Sequence, residues 1–340
     1  MSAQGNGKIF SIELGKFAAA FGVAMIHLAP NTPAAEFITE VGSLFPVYFF
    51  YASALHFTVR RTLRTENNSI SRSLRVDRVL VPYFVWTAIY LALRIAKNAA
   101  LPPVDNLSGW FGLLFLGQSA LHLYFIPQLV FFQVVAVASV RVFTALANRR
   151  LDTEAIFWSA AAAATGLWIH SMGWFGWKNC WLNGLLYTGL GLFSVRMQGQ
   201  TGTQRTLIRA LSLLMMLALA MTAAMRLDIG SIGYFLRGPL FGCATLVLLL
   251  HVRVPQPQEW LVHVASCYFG IYLCHHAIEE GMEMFFARIG HELTPYGVAS
   301  RVLVTLATVA MGVLFTLAVR RFPPMDFFLL GERKHRQVIA

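Results

Sequence analysis

The residues in this sequence best suited to chemistry sit in one apolar stretch near its start. From Phe10 to Pro30 it reads FSIELGKFAAAFGVAMIHLAP, and it holds Glu13, Lys16 and His27. Lys16 and His27 are eleven residues apart; at about 100° and ~1.5 Å per residue both fall on one helical face, ~16 Å from each other along the axis. Glu13 and Lys16, three residues apart, can form an ion pair that lowers the cost of burying both. Ionisable groups inside a membrane are expensive and normally face a bundle interior or a water-filled path. An imidazole takes or gives a proton near neutral pH. A charged residue and a histidine on one buried face therefore point to a site rather than a simple anchor.

Three other groups bear on that site. His122 opens the segment HLYFIPQL, and His275 and His276 lie in YFGIYLCHHAIEEG. A membrane histidine near a helix end is often only an interfacial polar residue bonded to a backbone carbonyl, and for His122 and His276 that reading stands beside the functional one. Arg60, Arg61, Arg64, Arg72, Arg75 and Arg78 form a basic run. Such a run is an ordinary topology determinant; it is also the chemistry that grips phosphates, because a guanidinium fork holds them bidentately at fixed charge. The four cysteines, Cys180, Cys243, Cys267 and Cys274, make no CxxC pair. Free buried thiols are expected, with no metal site.

The elements that must position these groups are membrane helices. Of the 340 residues 57% are hydrophobic and 13% charged, against roughly 25% charged in a soluble domain. The mean hydropathy is +0.59. Spanning segments must satisfy their own backbone hydrogen bonds, and no strand-like alternation suggests a barrel. The fold class read here is all-α: a polytopic membrane helix bundle, one domain over 1–340. Ten segments are long enough to span the bilayer: 9–29, 41–60, 79–98, 122–146, 154–172, 181–198, 206–225, 233–252, 260–279 and 299–320. A shorter one at 107–121 reads as interfacial or re-entrant, and 321–340 as a short cytoplasmic tail. The basic residues fall after every even-numbered span, while Glu279, Glu280, Glu283 and Glu292 follow the ninth. The positive-inside rule then puts both termini in the cytoplasm. The formal charge of +11 is explained by that topology signal, so no nucleic-acid partner is inferred. The N-terminus shows no cleaved signal peptide.

The ordered motifs resemble acyltransferase family 3, integral-membrane acyltransferases that modify sugars and envelope polymers in bacteria. Glu13, Lys16 and His27 fit the family's first-span pattern, with lysine where arginine is commoner. PVYFFYASAL matches its second-span element at Pro46, Phe50 and Ser53, with Ala54 where glycine is usual. Arg75, Arg78, Pro82 and Tyr83 fit its cytoplasmic RxxR element. His122 to Phe125 fits a histidine–leucine–aromatic–phenylalanine element, with Tyr124 where tryptophan is common, and Tyr272, Leu273 and His275 fit a late Y-x-L-x-H element. The resemblance spans residues 9 to 320. It implies acyl transfer from cytoplasmic acyl-CoA, usually acetyl-CoA, to a hydroxyl of an envelope or exopolysaccharide sugar, in a bacterial inner membrane. It implies His27 as the essential histidine, with Lys16 and Glu13 beside it, and Arg75 and Arg78, with Arg72, at the nucleotide. His122, Tyr124, Ser53, Tyr272 and His275 are expected at the substrate. The expected partners are the lipid bilayer, acyl-CoA and a carbohydrate acceptor, lipid-linked or in a growing polymer.

From the residues alone a proton-coupled transporter is the competing function, since ten spans with buried charge and histidines suit one. No repeated halves and no paired Gly/Pro-broken helices are visible. A non-catalytic scaffold is disfavoured by the cost of Glu13 and Lys16.

Overall fold

A computed structural model describes residues 10–64, 74, 77–97, 107–120, 122–146, 183–252, 254, 258–291 and 295–332. Its elements are helices α1 (Phe10–His27), α2 (Pro33–Gly42), α3 (Pro46–Arg64), α4 (Asp77–Ala96), α5 (Leu107–Phe115), α6 (Phe125–Leu146) and α7 (Asn183–Gln198). They continue as α8 (Gly202–Ala224), α9 (Gly230–His251), α10 (Glu259–Ala265), α11 (Tyr268–Arg288), α12 (Val298–Val319) and α13 (Met325–Leu330). Among the described residues there is no strand, only an isolated bridge between Pro30 and Tyr296.

Seven stretches of the described residues are long and apolar enough to cross a membrane, with α2 and α3 counted together over Pro33–Arg64. An eighth is gained if α10 and α11, bent by 54° at a short break, form one span. Of the ten expected spans, 154–172 lies outside the described residues, and 181–198 is the 16-residue α7. The 107–121 segment forms only the nine-residue α5, too short to cross at 1.5 Å per residue.

Local chemistry explains several of these boundaries. Thr32 starts α2 by accepting a hydrogen bond from the Ala35 amide at 3.2 Å, with Pro33 at the first helical position, where its missing N–H costs nothing. α3 is the central helix and packs on α1, α6, α7 and α9. Its crossing with α9 is close because Gly238 and Gly242 stand four residues apart there. A Cβ at Gly242 would lie 2.6 Å from the Tyr48 backbone, and one at Gly238 would lie 2.2 Å from the Tyr48 ring. This is the small-residue spacing by which membrane helices approach. α8 presents Leu207, Leu211, Leu214 and Leu217 outward, as a helix against hydrocarbon should.

The segment expected as a tail from 321 is structured through 332. α13 docks on α4: the Trp86 indole donates to the Leu329 carbonyl at 3.0 Å, and Leu330 is buried. Pro82 has no N–H to give the Arg78 carbonyl. Against that carbonyl sits Gly331, the left-handed cap of α13 at φ 64°; a Cβ there would fall 1.8 Å from the oxygen. Arg320 and Glu332 pair at 2.6 Å. Residues 333–340 lie outside the described residues.

Candidate functional site

Four histidines from three parts of the chain converge. α1 ends on His27, the turn before α6 supplies His122, and α11 supplies His275 and His276. The His27 ring centroid lies 5.3 Å from that of His275, 6.0 Å from His276 and 6.2 Å from His122. His122 and His275 are 4.6 Å apart, edge to face. His122 and His275 are buried and His27 is half-buried.

The hydrogen bonds inside the cluster constrain its chemistry. The Tyr272 hydroxyl donates to the His122 carbonyl at 2.5 Å, which fixes the backbone of that turn on α11. His275 Nδ1 lies 2.7 Å from the Tyr272 carbonyl. A carbonyl only accepts, so Nδ1 carries the proton and Nε2 of the neutral ring keeps its lone pair. That Nε2, both ring nitrogens of His122 and Oε1 of the buried Glu279 have no hydrogen-bond partner. Buried polar atoms are almost always paired. The four unpaired atoms lie in one region, where they are able to bond a polar group. Glu279 stands one turn beyond His275 on α11, on the same face.

Around this core lie residues that the motifs did not single out. Tyr90 of α4 packs 5.2 Å from His122 and 6.2 Å from His276, donates to the Leu273 carbonyl at 2.8 Å and accepts from the Ala277 amide at 3.3 Å. His276 pairs with Glu280 at 3.1 Å, and Glu280 also binds Lys97. His276 thus joins the cluster by ring contact with His27 and His122. No signal in the sequence tied Tyr90 or Lys97 to the histidines, because the link is made across helices.

Deeper along α1, Lys16 and Glu13 pair at 3.2 Å. The ammonium sits 5.0 Å from the Tyr268 ring centroid on α11 and 5.3 Å from Phe57 on α3. Between this level and the histidines, Phe50 contacts Tyr268, Tyr272 and Phe125, an aromatic column from the ammonium to the imidazoles.

The other expected residues fall in different places. Ser53 is buried on α3 and donates to the Phe50 carbonyl at 3.1 Å, so its proton is already used within its own helix. Tyr124 is 41% exposed, unlike the buried His122 two residues before it. Arg78 is half-buried in the first turn of α4, beside the α13 cap. Arg72 and Arg75 lie outside the described residues. No three His, Cys, Asp or Glu side chains among the described residues are placed to hold a metal ion.

A family model described as an acyltransferase domain matches residues 9–321, nearly the whole chain. The chain belongs to the acyltransferase 3 family. It is a membrane acyltransferase by that membership, and the match covers every helix from α1 to α12. No curated protein and no solved structure matches it. The family resemblance read from the scattered motifs is thereby established. In this acyltransferase the first-span histidine is also a member of the imidazole cluster, whose closest pair is His122 and His275.

Proposed function

We propose that this acyltransferase moves an acyl group, acetyl in the first instance, from cytoplasmic acyl-CoA to a hydroxyl of an envelope or exopolysaccharide sugar, with His27 as general base. The observation that carries this reading is the convergence of His27 with His122 and His275, on the helix that also holds the half-buried Lys16–Glu13 pair. In this reading both termini are cytoplasmic, in a bacterial inner membrane. Arg72, Arg75 and Arg78 hold the nucleotide phosphates at the inner mouth. The pantetheine arm passes Lys16 and the aromatic column to deliver the thioester at the imidazoles.

The step balances within the cluster. His27 takes the proton of the acceptor hydroxyl as its oxygen attacks the thioester carbon. The C–O bond forms, the C–S bond breaks, and the imidazolium returns the proton to the departing thiolate. The His275 Nε2 lone pair accepts from an acceptor hydroxyl and orients it. An N–H of His122 donates to the oxyanion of the tetrahedral intermediate. Tyr272 and Tyr90 hold those rings in place. Positioned general-base catalysis contributes about 10²–10⁴-fold in rate, so His27→Ala should remove essentially all transfer above background.

The test is thiol release from acetyl-CoA by the purified protein in nanodiscs, with an envelope glycan extract, wild type against His27→Ala. Release that requires both the extract and His27 supports the proposal. Equal release by the folded variant removes His27 from the chemistry. No release with any acyl-CoA returns the transporter reading.

A further inference from the structure

Arg301 is the largest fully buried side chain in the described structure, 2% exposed in the first turn of α12. None of the ion pairs among the described residues includes it. Its guanidinium instead grips two other helices. One terminal nitrogen donates to the Ala35 carbonyl at 2.7 Å and the Thr39 hydroxyl at 2.6 Å, both on α2; the other donates to the Met25 carbonyl at 2.7 Å. Met25 lies two residues before His27, in the last turn of α1.

That last turn is where a helix leaves carbonyls without partners. In a membrane an unmet carbonyl is expensive. A cation at a helix C-terminus also meets the negative end of the dipole. The guanidinium satisfies both demands at once. An arginine buried without a carboxylate is a costly choice for simple packing, since an apolar side chain would fill the same space. Nearby, Asn31 Nδ2 donates to the Pro295 carbonyl at 3.0 Å, and the Pro30–Tyr296 bridge joins the same two connections. Those ties hold the loop after His27; Arg301 alone among them grips the helical turn that carries it.

We infer that Arg301 is a positioning residue for His27, locking the end of α1 to α2 and α12 so that the imidazole stays within reach of His122 and His275. This rests on the proposed role of His27. A lysine keeps the charge but cannot fork to two helices. A glutamine keeps a donor without the charge and cannot reach both.

The experiment compares acetyl transfer by the full-length protein in nanodiscs for wild type, Arg301→Lys, Arg301→Gln, Thr39→Val and Asn31→Ala, with melting temperatures for all. A displacement of about 1 Å costs on the order of 10²-fold in rate. Arg301→Lys should therefore lower kcat ten- to hundredfold with the acceptor KM within about twofold of wild type. Thr39→Val loosens only the α2 side, and Asn31→Ala only the loop; both should keep kcat within about threefold. If the lysine variant does not fold, the glutamine variant is read in the same way. In a His27→Ala background the arginine substitutions should change the residual rate no further. The inference is overturned if kcat is retained in folded Arg301 variants, or if it falls no more than in Thr39→Val at matched melting temperature. Full activity of His27→Ala by itself overturns the proposed function instead, and identifies which of the two failed.

Discussion

At the scale of single residues, the site is built from bonds that each have a separable consequence. Removing the Tyr272 hydroxyl (Tyr272→Phe) leaves the ring contacts with His122 and His275 but drops the bond to the His122 carbonyl. One buried hydrogen bond contributes about 1 kcal/mol, so the variant should melt slightly lower while its transfer rate falls about tenfold; an unchanged rate would show that the backbone at His122 needs no such tie. The Lys16–Glu13 pair behaves differently, because each side chain is only 13% or 12% exposed. Lys16→Met strands a carboxylate, which costs on the order of 3–5 kcal/mol in a buried pair. The double change Lys16→Met with Glu13→Gln should recover most of that stability and none of the transfer. Recovery of transfer as well would show the pair to be structural only. The spacing of Glu13, Lys16 and His27 was legible in the linear chain because all three share one helix, whose 3.6-residue period converts distance along the chain into a face.

At the scale of elements, the helices hold their register through contacts that tolerate no added atoms. Gly242→Leu would drive a side chain into the Tyr48 backbone at the α3–α9 crossing. Overpacking of this kind typically costs 1–3 kcal/mol, and a fall in melting temperature without change in the remaining molecules' KM is expected. Gly331→Ala should undock α13 from α4, since its methyl meets the Arg78 carbonyl; faster proteolysis between Val319 and Glu332 would report it. The apolar spans themselves were readable from hydropathy. The docking of α13 was not: MDFFLL is too short for a periodic signal, and its partner surface belongs to α4, more than two hundred residues earlier. α2 was not legible either: the expected second span begins at 41, because Glu36 and Glu40 interrupt the apolar run over Pro33–Gly42.

At the scale of the whole molecule, the loop arginines argue for an orientation that single cysteines can test. In a cysteine-free background, Asp228→Cys in the α8–α9 connection should react with an impermeant maleimide from the outer face, and Thr201→Cys before α8 only after permeabilisation; the reverse pattern would invert the topology. The amino-acid sequence by itself determined the all-helical membrane character, the acyltransferase 3 membership and the placement of Glu13, Lys16 and His27 on one helix, because hydropathy, motif order and helical period are properties of neighbouring residues. Only the tertiary structure decided that His276 joins His27, His122 and His275, that Tyr90 braces them, that Ser53 spends its hydroxyl on its own helix, and that Arg301 clasps α1 to α2. Those facts depend on how helices far apart in the chain pack and cross, and the side-chain geometry of a crossing is fixed by ridges, small residues and buried hydrogen bonds contributed by both partners at once.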